Sequence, residues 1–463
     1  MWLLGATSRG VQNTKKLGTD IYGTASVFPP VSYLTLADPA AIKHVSYPRN
    51  NFVKHTASYE IFRSFGSNLL IVEGEEWRRQ RRIVTPAFSD KNNRLVWDTA
   101  KGHIKRVFDA WGSKRSTTVH DVKEDLTLPL SLSVISKAGF GLDASWVTSA
   151  IPAGHKLTFK DAFLTTCKTL NLPLMLPNWA WGLRKGWRHA KLAHSELRLY
   201  LQEMIATRRE PKEQEKEPLE QRHDLLNRLI HARDDNDMLT EEELIGNMFI
   251  FFFGGHETSA HTFAIALSLL ALYPEVQDKL LEQIRELEHE HGDLTYDHSQ
   301  LLTYAMAVIY ETMRLYPMVA IMPKQATADT TVTVGSAPNT QTIQVPKSTM
   351  VQAFSTGLHY NPDYWENPNE FNPERFMDPH WNRDAFISFS LGPRACIGRR
   401  FSETALTAEL STLISKYRVS VDESRFKFIE GESILERRAR LINPDIRLTL
   451  TPAPISLVFS PRD

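Results

Sequence analysis

Of the two cysteines in this 463-residue chain, Cys396 has the neighbours that a metal-bound thiolate needs. It lies in FSLGPRACIGRRF, residues 389–401. Gly392 and Gly398 allow tight turns and close backbone approach on either side of the sulfur, where a β-carbon would obstruct a flat cofactor. A thiolate is stabilised by cations, amide donors and a helix N-terminus, and residues 399–417 read as such a helix. Arg394 adds a positive charge two residues upstream. The competing reading is a buried structural cysteine in a glycine-containing turn.

Three further stretches place polar groups at useful spacings. ETMR sets Glu311 and Arg314 three apart, on one helix face and within reach of a charge-assisted pair; a solvated surface pair is the plain alternative. WRRQR sets the Trp77 indole N–H and the Arg81 guanidinium at i and i+4, where both can reach one edge of a bound anion; the alternative is an exposed helix face. GGHETS, residues 254–259, interrupts the apolar run 244–273 with a carboxylate and hydroxyls. Hydropathy alone suggests a membrane span there, but a central charge costs on the order of a few kcal/mol in lipid, so a buried helix bordering a polar cavity is expected.

The cysteine loop resembles the heme-binding loop of the cytochrome P-450 family, the heme-thiolate monooxygenases. Its pattern Phe-x-x-Gly-x-Arg-x-Cys-x-Gly is matched at every fixed position, by Phe389, Gly392, Arg394, Cys396 and Gly398. The resemblance implies heme b with Cys396 as axial iron ligand, Phe389 beside the sulfur, Arg394 at a propionate and Gly398 admitting close backbone approach. Thiolate ligation favours O–O cleavage. The resemblance makes Trp77 and Arg81 propionate ligands and joins Glu311, Arg314 and the Arg375 of NPERF into a buried network bracing the cysteine loop. GGHETS matches the small-Gly-x-acid-Thr pattern of the oxygen-binding helix through Gly254, Gly255, Glu257 and Thr258. Thr258 and Glu257 would pass two protons to dioxygen through water, in the space that the small residues leave. Lys324 stands in for an arginine that often meets a propionate in the family.

The similarity runs from about Leu17 to the C-terminus and points to fungal members of microsomal type, notably in FGSNLLIVEGEEWRRQRR and VTPAFSDKNN. It implies insertion of one atom of O2 into a lipophilic small molecule, by hydroxylation or epoxidation, with terpenoid-type secondary metabolism as the expected setting. Electrons would come from NADPH through a separate reductase, with cytochrome b5 as a further donor. Arg78, Arg79, Arg82, Arg399 and Arg400 would form the docking patch for the reductase's acidic flavin domain. Ile250, Phe253, Val319, Ile321 and Met322 would line the distal pocket, with interior packing as the alternative. LNLPLMLPNWAWGLRKGW, residues 170–187, would cover the substrate entrance and suits a membrane interface; a plain interhelical loop is the alternative. Two other readings remain: a heme-thiolate isomerase or dehydratase that does not use O2, against which Glu257 and Thr258 speak, and a non-catalytic heme sensor.

Composition agrees with a large globular core, 42% hydrophobic and 23% charged. With 54 basic and 54 acidic residues no global field favours nucleic acid. Two cysteines are too few for a disulfide framework or a four-thiolate site and fit a reducing, cytosol-facing environment; Cys167, among Phe163, Leu164 and Leu170, reads as inert core. The opening MWLLGA is apolar only briefly, well short of the roughly 20 residues that span a bilayer. The expectation is a membrane anchor absent or truncated, with residence on the cytosolic face of the endoplasmic reticulum inherited from the family.

The positioning elements read as mostly helical. Residues 189–207, 275–290 and 300–316 show the 3.6-residue period, and short β-branched runs at 331–334, 342–345 and 455–459 read as strands. Acidic clusters at 210–217 and 234–237 read as solvated loops. The expected architecture is mainly α (α+β), residues 1–463 as one helix-rich domain with small sheets around a buried heme.

Overall fold

The computed structural model describes residues 20–28, 30–47, 51–142, 150–209, 224–234, 238–335 and 340–462. The sequence before residue 20 and the acidic cluster at 210–217 lie outside the described residues, as do 235–237. The fold is mainly helical with small sheets. Its longer helices are α1 (Gly74–Val84), α2 (Asp90–Trp111), α3 (Phe159–Lys168), α4 (Lys185–Arg209), α5 (Leu225–Asp234), α6 (Glu241–Leu272), α7 (Pro274–His291), α8 (Thr303–Leu315), α9 (Arg399–Lys416) and α10 (Ile434–Ile442). The expected helices at 189–207, 275–290, 300–316 and 399–417 are α4, α7, α8 and α9, within a few residues at each end.

Two compact units emerge, each made of interleaved segments: residues 1–55, 100–130 and 257–463, and residues 56–99 and 131–256. The first unit holds all the sheets. Strands β1 (Ile21–Ser26), β2 (Val31–Leu36), β3 (Phe52–Lys54), β5 (Ile321–Ala326) and β8 (Met350–Phe354) form one sheet in the order β1-β2-β8-β5-β3. Within it β2 and β8 run parallel and the other neighbours antiparallel. Strands β4 (Thr117–Val119), β9 (Tyr417–Val421) and β12 (Leu457–Pro461) make a second sheet, ordered β4-β12-β9. β6 (Thr330–Val334) pairs with β7 (Gln341–Val345), and β10 (Asp445–Ile446) with β11 (Leu450–Thr451). The strands expected at 331–334, 342–345 and 455–459 are β6, β7 and β12; the sequence does not mark the others, six-residue β1, β2 and β5 among them.

The second unit is helical and its core is aromatic. Phe140 stacks on Phe252 with ring centroids 3.9 Å apart, and Phe65 on Phe249 at 4.4 Å. The α6 half in this unit is fixed by polar contacts as well: Asn247 Oδ1 accepts from the Leu69 N–H at 3.0 Å, and its Nδ2 donates to Gln80 Oε1 at 3.0 Å. No single helix among the described residues is long and apolar enough to cross a membrane. The apolar run expected as a buried helix is α6, 32 residues long and largely buried.

Candidate active site

The chain around Cys396 is held by its own backbone. The Cys396 N–H donates to the Phe389 carbonyl at 2.8 Å and the Ala395 N–H to the Gly392 carbonyl at 3.0 Å, closing a compact loop. Gly392 has φ +72°, and a Cβ there would come within 2.7 Å of the Ser46 carbonyl, so glycine is required by both conformation and space. Gly398 has φ −85° and is the N-cap of α9. Two residues before that N-cap the Cys396 side chain is exposed, where the amide donors and partial positive charge of the helix start favour a thiolate. Arg394 is half-buried nearby in sequence.

The expected brace is assembled and fully buried at its centre. Arg314 donates from Nε to Glu311 Oε2 at 2.6 Å and from Nη2 to Oε1 at 2.9 Å. Arg375 Nε reaches Glu311 Oε1 at 3.2 Å, and the Asn372 N–H reaches the same oxygen at 2.9 Å. The remaining Arg314 donors go to the carbonyls of His359, Pro368 and Glu370. One side chain therefore gathers two separate stretches of backbone, at His359 and at 368–370, which a point-charge lysine could not do.

His359 completes this brace, and the sequence reading missed it. Its Nδ1 lies 3.1 Å from the Arg314 carbonyl, and its Nε2 accepts from the Ile387 N–H at 3.0 Å, two residues before Phe389. Burial and the adjacent Arg314 charge push its pKa down to about 3, so the ring is neutral with its proton on Nδ1. Ser388 Oγ donates to the Met313 carbonyl at 3.0 Å. The entry to the cysteine loop is thus tied to α8 at two successive residues. Only the position of His359 downstream of ETMR hinted at this, since a single histidine carries no spacing signal.

On α6, Gly254 and Gly255 separate in role. A Cβ at Gly254 would meet nothing within 4 Å, whereas one at Gly255 would press into the Ile135 side chain at 3.0 Å. Gly254 leaves open space beside the helix; Gly255 serves packing instead of space, a correction to the paired reading. Glu257 and Thr258 follow, half-buried on an unbroken helix. One residue on, Ser259 Oγ lies 3.3 Å from Ser402 Oγ, linking this half of α6 to the first turn of α9.

Trp77 and Arg81 are both half-buried on α1, between exposed Arg78 and Arg82, so they share a helix face as their spacing predicts. Glu75 and Glu76 in the first turn and Arg81 and Arg82 in the last complement the helix dipole. Of the five arginines expected as a docking patch, Arg78 pairs with Glu75 on its own helix. Arg79 binds Glu243, at 3.2 Å through Nη1 and also through Nη2, and donates to the Met238 carbonyl. Arg399 Nε binds Glu403 at 2.7 Å, and its guanidinium lies 5.2 Å over the Phe389 ring. Arg78, Arg82 and Arg399 are exposed, and Arg79 and Arg400 are half-buried.

Among the expected pocket residues, Ile250 and Phe253 are buried, and Phe253 packs on Phe62 at 5.0 Å. Val319 is exposed, while Ile321, Met322 and Lys324 are half-buried on β5, where Lys324 pairs in register with Val351. Cys167 is half-buried on α3. Residues 172–187 present Leu174, Met175, Trp179 and Leu183 to solvent, between 58% and 75% exposed. Asp234, expected in a loop, closes α5 and takes two hydrogen bonds from Arg209.

A family model for Cytochrome P-450 matches residues 20–442. The chain belongs to the cytochrome P-450 family. Cytochrome P-450 monooxygenase 124 of Postia placenta is 40% identical over 456 residues, covering 96% of this chain and 86% of the relative. Cytochrome P-450 monooxygenase ORF6 of Penicillium roqueforti is 28% identical over 418 residues, covering 81% and 72%. The crystal structure of a cytochrome P-450, CYP102L1, superposes with a TM-score of 0.77 at 22% identity, covering 98% of both chains, a likeness of fold. This cytochrome P-450 is a monooxygenase-type oxidoreductase, and its family carries heme with a thiolate ligand. The donor set fits that group: Cys396 offers an exposed thiol two residues before the α9 N-cap, and it would be the protein ligand to the iron of the macrocycle.

Proposed function

We propose that this cytochrome P-450 inserts one atom of O2 into a C–H or C=C bond of a lipophilic small molecule, the other atom leaving as water. Thiolate-ligated heme supplies the reductive activation of dioxygen that such an insertion needs. The observation that carries the reading is the exposed Cys396 thiol in a backbone-clamped loop two residues before a helix N-cap. Cys396 holds the iron, Phe389 shields the sulfur, and Arg394, Trp77 and Arg81 bind the propionates. The Glu311–Arg314–Arg375 network, with His359, keeps the loop in register. Thr258 holds a water by its hydroxyl and Glu257 supplies the proton that water passes on, while Gly254 leaves dioxygen its space.

Electrons come from NADPH through a separate reductase whose acidic face meets Arg78 and Arg82, and cytochrome b5 is a second donor to the same surface. The segment 170–187, with Arg184 and Lys185 near its end and Arg188 just after it, seats the protein on the endoplasmic reticulum surface. Terpenoid-type secondary metabolites are the substrate class to test first. The experiment is a reduced, carbon-monoxide-treated spectrum followed by turnover of lipophilic compounds with NADPH and a fungal reductase. A red-shifted Soret band and substrate-dependent NADPH consumption with a product heavier by one oxygen atom are expected. A Soret band without that shift removes Cys396 as ligand, and the shift with no oxygenated product across the compounds removes the monooxygenation proposal.

A further inference from the structure

Arg438, on α10, is 6% exposed; its Nε and Nη1 reach no hydrogen-bond partner and no carboxylate among the described residues, and only the Tyr273 and Tyr316 hydroxyls lie close enough to interact with the guanidinium. Its Nε and Nη1 are fully enclosed. An uncompensated guanidinium in a protein interior is expensive, and a native structure normally supplies the missing partner as a side chain, an ordered water or an ion. The surroundings here are tyrosines: Tyr273, Tyr316 and Tyr360. Burial raises the pKa of all three, so they stay neutral and cannot balance the charge. Tyr360 gives its hydroxyl proton to the Leu315 carbonyl at 2.8 Å, whereas the buried Tyr273 hydroxyl lies near the guanidinium without reaching hydrogen-bond geometry with any group.

The neighbouring charges deepen the imbalance. Arg314 and Arg375 share the single carboxylate of Glu311, and Arg314 lies 5.9 Å from the Tyr360 ring. Glu275 and Glu370 act on Tyr273 from exposed positions but form no ion pair with Arg438. Three guanidiniums thus stand against one buried carboxylate, and the hydroxyls nearest Arg438, on Tyr273 and Tyr316, are neutral.

We propose that Arg438 and Tyr273 hold a small inorganic anion of the halide class, chloride in the cell, enclosed by the three tyrosines. A monoatomic anion accepts from several N–H and O–H donors at once without a geometry of its own, and the slight exposure of Arg438 favours a small ligand over a carboxylate or phosphate ester.

The test uses the heme-loaded enzyme. Crystals soaked in sodium bromide should show an anomalous peak beside the Arg438 guanidinium. In solution, melting temperature should rise by about 1–2 °C per tenfold increase in sodium chloride, compared with sodium gluconate at equal ionic strength. Arg438→Met and Tyr273→Phe should both flatten that chloride dependence. Tyr273→Phe removes one hydroxyl only and carries the mutational arm if Arg438→Met fails to fold. An ordered water with no anomalous scatterer overturns the proposal. So does a bromide peak with no chloride-specific rise, which would mark an adventitious ion only.

Discussion

Replacing Thr258 by alanine removes one hydroxyl from the helix proposed to carry the proton path, and leaves the Cys396 loop and its brace intact. Heme content and the spectral response to a bound substrate should be unchanged, while product formed per NADPH falls by roughly tenfold or more and peroxide rises to match. Full coupling in Thr258→Ala would remove that hydroxyl from the relay. Glu311→Gln acts elsewhere: it removes the only carboxylate that Arg314 and Arg375 share inside the protein. Breaking a buried pair in this way costs about 3–5 kcal/mol, so the variant should purify with much less heme and unfold earlier in denaturant. A variant of wild-type stability and heme content would mean the brace is dispensable.

At the scale of elements, α1 separates two kinds of arginine. Arg78 and Arg82 face solvent, whereas Arg79 is committed to Glu243 on α6, whose carboxyl the Arg79 guanidinium holds below its usual range despite burial. Arg78→Glu with Arg82→Glu should slow reduction by the reductase several-fold at low salt, with the difference shrinking as salt rises, at unchanged stability. Arg79→Glu should instead destabilise the protein, and stopped-flow reduction beside a thermal melt tells the two apart. Sequence could not draw this distinction, because Glu243 is 164 residues away from Arg79. What sequence did carry was local: the period of α4, α7 and α8, the paired faces of Trp77 with Arg81 and Glu311 with Arg314, and the cysteine loop. Residues whose reason is a distant contact stayed hidden, His359 at Ile387 and Gly255 at Ile135 among them. The short strands were hidden for the same cause, since β8 lies between β2 and β5, neither of them adjacent to it in the chain.

For the whole molecule, buried titratable groups squeeze stability from both sides of neutrality. Burial, aided by Arg314, lowers His359 from 6.5 to about 3. Its contribution is complete above pH 6.5 and is lost as pH falls towards 3, amounting to about 2 kcal/mol by pH 5. His194 and His261, each pushed down to about 4 by burial, add losses of the same sign. Glu409 works oppositely: burial lifts its carboxyl from 4.5 to about 8, and neither oxygen has a hydrogen-bond partner. Stability on its account is complete below pH 4.5 and declines as pH rises towards 8. Glu409→Gln should therefore raise the melting temperature more at pH 8 than at pH 5. An equal gain at both pH values would show that the carboxyl is ionised at little cost.

The unbroken course of α6 has a further consequence for evolution and engineering. One end of the helix is fastened through Glu243 and the other half through Ser259, with Glu257 and Thr258 just before the second fastening. A one-residue insertion or deletion between them would swing one fastening by about 100° around the helix axis relative to the other. Substitutions in this stretch are matters of degree, but its length admits no drift, so natural variation and laboratory recombination should place their crossovers and indels outside residues 243–259.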